Sequence, residues 1–158
     1  MSPLRTATLA AALLMPHLRA PAQEILPIEP RRLYLGRTGQ FEWDAFRDRK
    51  VDAGRLELHF QAHANAGECT LRLRQCDVKL GWAVLVNGRN IGSLTLAEPA
   101  QECVLSLPPG TLRDGENLLV IEPPQALDDI EIGPVFLELQ PVREALGGAT
   151  LDITVADA

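Results

Sequence analysis

Between Trp82 and Leu139 the chain is a succession of short apolar runs, each stopped by Gly, Pro, Asn or Asp after about ten residues. Trp82-Ala-Val-Leu-Val runs into Asn87-Gly88 and a return segment, Arg-Asn-Ile-Gly-Ser-Leu94. Cys103-Val-Leu-Ser-Leu107 ends on Pro-Pro-Gly, and Asp114-Gly115-Glu-Asn117 feeds Leu118 to Ile121. Runs this short cannot complete a stable amphipathic helix, and turn residues at this spacing predict an all-β chain folded as an antiparallel β-sandwich.

The pattern extends to the N-terminal side. Leu56, Leu58, Phe60 and Ala62 alternate with Glu57, His59, Gln61 and His63, as on a half-exposed strand. Leu71 and Leu73 alternate with Thr70, Arg72 and Arg74 in the same way. Trp82 to Val86 is apolar on both parities, which predicts a central strand covered on both faces. Asn87-Gly88 suits the type I′ hairpin, because both residues tolerate positive φ. Ile130 and Ile132 are even whereas Val135, Leu137 and Leu139 are odd, so a β-bulge is expected at Gly133-Pro134.

The ends read differently. Arg5, an apolar run from Thr6 to Met15, and Ala20-Pro21-Ala22 before Gln23 have the layout of a secretory signal peptide over residues 1–22. The run is too short to span a bilayer, which takes about 20 residues. The mature chain is therefore expected to be secreted or periplasmic, with no membrane attachment after cleavage. Residues 23–54 read as an extended leader with a first strand or loop, Leu33-Tyr-Leu35 being the strand candidate. Residues 55–140 form the expected sandwich core and 141–149 a linker. Residues 150–158 alternate cleanly and read as the first strand of a following domain.

The whole chain has 15 Lys and Arg against 21 Asp and Glu, a net charge of −6. Loss of Arg5 and Arg19 with the leader makes the remainder more acidic still. Nucleic-acid affinity rests on cations that displace counterions from phosphates, so no nucleic-acid partner is expected.

Three cysteines remain in the mature chain. Cys69 and Cys103 share the parity of core residues in their runs, and two readings stand: a Cys69–Cys103 bridge between neighbouring strands, or three reduced, buried small hydrophobes. No pair has zinc-site spacing. His59 and His63 lie on one strand face roughly 13 Å apart, too far to share one ion. Ser93 and Ser106 are not in a Gly-x-Ser-x-Gly elbow, and Cys76, among Arg74, Asp77 and Lys79, has no base partner in sequence. Asp128, Asp129 and Glu131 could supply oxygen ligands to a structural calcium, with an ordinary Asp turn as the other reading.

Sugar recognition needs flat aromatic surface beside polar groups. Phe60, Trp82 and Phe136 read as core residues, which leaves Tyr34 and Trp43, and Phe46 beside them, as an available platform. Asp77, Lys79 and Asn87 are the polar candidates to accompany it.

The run from Asp77 to Gly88, then Leu105-Ser-Leu107, Leu112-Arg-Asp-Gly-Glu-Asn-Leu-Leu-Val-Ile121 and Asp128-Asp-Ile130 with Gly133, resembles the galactose-binding-like jelly roll. It is similar to the sugar-binding sandwich that precedes the barrel of many exported glycoside hydrolases, where "W-V-N-G" and "L-x-x-G-E-N-x-L-x-V" recur in this order. From Leu56 to Ala158 the chain also resembles the N-terminal region of exported CehA/McbA-like metallohydrolases. There a sandwich precedes a module whose opening is similar to Leu151-Asp-Ile-Thr-Val-Ala-Asp-Ala158, and a metal-binding catalytic domain follows. The His-rich motifs of that catalytic domain do not occur in this sequence. These resemblances imply a non-catalytic accessory module that packs on or orients a catalytic domain of a larger hydrolase. An autonomous carbohydrate-binding module with a glycan partner is the alternative.

Overall fold

The computed structural model describes residues 24–39, 47–125 and 128–148. The expectations placed on residues 1–22, on Trp43 and Phe46, and on 150–158 fall outside these residues. The described residues form two antiparallel sheets stacked as a β-sandwich. The first contains β1 (Ile25–Glu29), β2 (Leu33–Leu35), β4 (Cys69–Cys76), β7 (Gln101–Leu107) and β9 (Ile130–Glu138), in the order β1-β9-β4-β7, with β2 also on β9. The second contains β3 (Leu56–Ala62), β5 (Ala83–Val86), β6 (Arg89–Ser93) and β8 (Gly115–Glu122), in the order β3-β8-β5-β6.

Side-chain alternation places the core between the sheets. Leu71, Leu73, Cys103, Leu107, Ile130, Ile132, Val135 and Leu137 face inward from the first sheet. Leu56, Phe60, Val84, Val86, Leu119 and Ile121 meet them from the second. The expected bulge occurs where parity flips: Leu73 pairs with Val135 but Gln75 pairs with Ile132. Gly133 sits there at φ 107°, and a Cβ on it would lie 2.1 Å from the Arg31 carbonyl oxygen. Only glycine allows the chain between β1 and β2 to pass this close. The Asn87-Gly88 turn has φ of 52° and 80°, the left-handed pair a type I′ turn needs.

Four expectations are corrected. The stretch read as an extended leader is β1, paired along β9 with Ile25 opposite Glu138; its Pro27 is tolerated because β1 is an edge strand. β5 is central in its sheet, between β8 and β6, but its outward residues Ala83 and Leu85 are only half-buried, with no second layer over that face among the described residues. Phe136 points outward from the first sheet, half-buried opposite Arg72, and not into the core. The 141–149 stretch is not a plain linker, since Val142–Ala145 forms a short helix, α1, that contacts β4 and β7.

The cysteines are also settled by register. β4 and β7 are neighbours, but Cys69 lies opposite Leu107 and Cys103 opposite Leu73. Four residues of strand separate the two thiols by roughly 13 Å, against a Cα–Cα limit of about 7 Å for a disulfide. All three cysteines are free. Burial pushes the Cys69 and Cys103 thiols above their usual range, so they stay protonated and inert. Thiol titration without reductant is therefore expected to find three reactive groups in denaturant. In the native protein only the half-buried Cys76 should react readily; a single thiol in denaturant would contradict this register.

At the end of β1, the buried Glu29 accepts from Arg31 N at 3.0 Å, Nε at 2.9 Å and Nη2 at 2.8 Å. These bonds, led by the guanidinium, hold its pKa below the ordinary 4.5 although burial opposes them. The folded state thus gives up this proton more readily than the unfolded chain. Its stabilisation is complete above the unfolded value and is lost as pH falls through the folded one. The stability gap between wild type and Glu29→Gln is expected to be open near neutrality and to close below pH 4.5. It will be small, because Arg31 is exposed. Urea midpoints across the acid range would measure it, and a gap that widens on acidification would contradict the assignment.

Candidate functional site

The strand order gathers four connections at one end of the sandwich: β2 to β3, β4 to β5, β6 to β7, and β8 to β9. Asp128, 3 % exposed, lies at their centre. Its Oδ2 accepts from Trp82 Nε1 at 2.8 Å, from Leu80 N at 3.0 Å and from Lys79 N at 3.4 Å. One carboxyl group thereby fixes the β4–β5 connection and satisfies a fully buried indole. Asp129, 2 % exposed, packs beneath Gly36, where a Cβ would fall 2.2 Å from its Oδ1. A cleft of about 180 Å³ opens beside these groups, walled by Trp82 and Pro123 and bordered by Gly36, Gly54, Gln125 and Asp128.

Tyr34 sits at this end but offers no open platform. It is 1 % exposed: its backbone exchanges bonds with the Asp52 side chain and backbone, at 2.8 and 2.9 Å, and Arg49 stacks 5.4 Å over its ring. Its central place in Leu-Tyr-Leu gave it the outward parity of an exposed residue; the 47–53 connection, folded back over β2, buries it. Arg49 also pairs with Glu131 at 2.6 Å, and Arg32 with Glu131 at 3.5 Å.

The acids proposed for calcium are accordingly not brought together. Asp128 faces N–H donors, Asp129 packs under Gly36 and Glu131 faces two guanidinium groups. Among the described residues no group of three His, Cys, Asp or Glu side chains could hold a metal ion. His59 and His63 point to Glu116 at 3.1 Å and Asp114 at 3.2 Å, on the solvent side of β3.

Asp77 and Lys79 pair with each other at 3.2 Å, and Asp77 takes a positive φ of 61° at the start of the connection. Asn87 lies at the opposite end of the sandwich. Its Nδ2 donates to Thr111 O at 2.9 Å and to Asn117 Oδ1 at 2.7 Å, and its Oδ1 accepts from Leu118 N at 3.1 Å. Of the residues singled out in sequence, the fold thus assembles Tyr34, Asp77, Lys79, Asp128 and Asp129 at one end and sends Asn87 to the other.

Asn65 and Asn117, turn residues not among the candidate site residues, hold that far end. Asn65 accepts from Leu112 N at 2.7 Å and donates to Gly67 O and Pro108 O at 2.8 and 2.9 Å. Asn117 accepts from Arg113 N at 3.0 Å and donates to Arg113 O at 2.9 Å and Gly115 O at 3.0 Å. Its place in Gly-Glu-Asn, directly after a turn, was the available signal: a short amide there can close the turn on its own backbone.

On the outer face of the first sheet, Glu138 is 2 % exposed and lies 2.7 Å from Arg72 Nε. The Arg72 N–H is not aligned on the carboxylate, so the contact is an ion pair and not a linear hydrogen bond. Arg72 Nη2 donates to Ala145 O at 2.9 Å, Thr70 Oγ1 to Gln140 O at 2.8 Å, and Gln140 Nε2 to Glu138 Oε2 at 3.0 Å. These bonds clasp the segment after β9 to the sheet.

Fold and site together define an antiparallel β-sandwich whose buried polar side chains chiefly secure its own connections. No protein-family model matches the chain, and no curated protein sequence matches it.

Proposed function

We propose that this sandwich is a non-catalytic accessory module of an exported protein, of jelly-roll, galactose-binding-like type, that packs on or orients a catalytic domain of a larger hydrolase. The observation that carries this reading is the clasp on the segment after β9. Thr70 and Arg72 bind the backbone of Gln140 and Ala145, and Arg72 is itself anchored by the buried Glu138. A chain leaving the sandwich here has its direction set by the sheet, as an orienting module requires and a loose tether does not. The resemblance to sandwiches that precede catalytic domains agrees with it.

Two measurements test the reading. Affinity electrophoresis of the chain across a glycan panel is expected to show no retardation. Retardation lost in Trp43→Ala would establish the carbohydrate-binding alternative instead. In a polypeptide that joins this sandwich to its catalytic domain, small-angle scattering should show a broader domain distribution for Arg72→Ala than for wild type. A reading frame that stops at Ala158 would defeat the proposal.

A further inference from the structure

The two oxygens of Asp128 are unlike. Oδ2 carries the three N–H donors described above, whereas Oδ1 is buried and has no hydrogen-bond partner among the described residues. A carboxylate oxygen removed from water without a donor is costly, and in native proteins such groups almost always find one. Asp128 also lines the cleft of about 180 Å³ beside Trp82, Pro123, Gln125 and Gly54.

We propose that this cleft is a binding site for a small neutral polyol, which presents a hydroxyl donor to Asp128 Oδ1. Oδ2 already has three N–H donors, so what Oδ1 lacks is one hydrogen-bond donor, which a hydroxyl can supply. Arg37, which also lines the cleft, disfavours a cationic ligand. Trp82 and Pro123 provide apolar walls for C–H groups, and the Gln125 amide can both donate and accept. Size limits the ligand further. The cleft has the volume of roughly six waters, whereas sites for drug-sized ligands start at about 300 Å³. A polyol of a few carbons fits and an oligosaccharide chain does not. This site is independent of the accessory-module reading and stands or falls apart from it.

Glycerol is the probe, and the Trp82 indole N–H resonance is the readout because that N–H is bonded to Asp128. Titration of the whole 15N-labelled chain should shift this resonance saturably. Dimethoxyethane, of similar size but without a hydroxyl donor, should leave it in place. Gly54→Leu plugs the cleft: the residue is exposed, and a Cβ there meets only Gly36 O at 3.6 Å, an ordinary contact. Gln125→Phe plugs it from the β8–β9 side and decides the matter should Gly54→Leu misfold. Loss of the glycerol shift in a folded plugged variant, with the rest of the spectrum intact, is the expected result. No saturable shift would mean that water alone occupies the cleft. An equal response to the ether, or a shift that survives in the plugged variants, would equally overturn the site.

Discussion

Trp82→Ala is expected to destabilise the protein by about 3–5 kcal/mol, the range for removing a buried aromatic from a packed core. Trp82 is fully buried against the inner face and donates its indole N–H to Asp128. Truncation removes the ring and strips a donor from a buried carboxyl group at once. Trp82→Phe, which keeps most of the ring volume and loses the N–H, should cost less. A double-mutant cycle of Trp82→Phe with Asp128→Ala should show coupling of about 0.5–3 kcal/mol. Urea denaturation measures each value. A Trp82→Ala loss below about 1 kcal/mol would mean that the indole is not in the core.

Arg72→Ala comes next, at about 3 kcal/mol, the lower end for breaking a buried ion pair. The lower end applies because the Arg72 side chain is 23 % exposed and Gln140 still donates to Glu138. The cost arises mainly from the Glu138 carboxylate left without its cation. Replacing both partners, Arg72→Met with Glu138→Leu, should therefore recover most of the loss. Equal destabilisation in the single and double variants would show that packing, and not charge, is what Arg72 contributes.

The parts of the fold legible in sequence were those governed by two-residue periodicity. Alternation from Leu56 to Ala62, the parity flip at Gly133-Pro134 and the Asn87-Gly88 turn each depend on neighbours in the chain. What the sequence concealed depends on pairing across it. Leu-Tyr-Leu gives no sign that the 47–53 connection will cover Tyr34, and alternation within β4 and β7 does not fix which residue of one faces which of the other. That missing register is why a Cys69–Cys103 bridge stood open until Cys69 was found opposite Leu107. At the candidate site the acids near residue 128 were visible as chemistry. Their partners, an indole 46 residues earlier and the backbone of the β4–β5 connection, were not.

The same holds for the clasp. Pro141 to Ala149 has the composition of a linker, and only the placement of Thr70 and Arg72 on the sheet beneath it makes the segment part of the fold. Trypsin cleavage after Arg143, timed by mass spectrometry in wild type and Arg72→Ala under conditions where circular dichroism shows both folded, tests this directly. Slow cleavage in wild type and markedly faster cleavage in the variant is the predicted result. Equal rates in the two proteins would show that the segment is not held by the sheet, and would remove the basis for an orienting module.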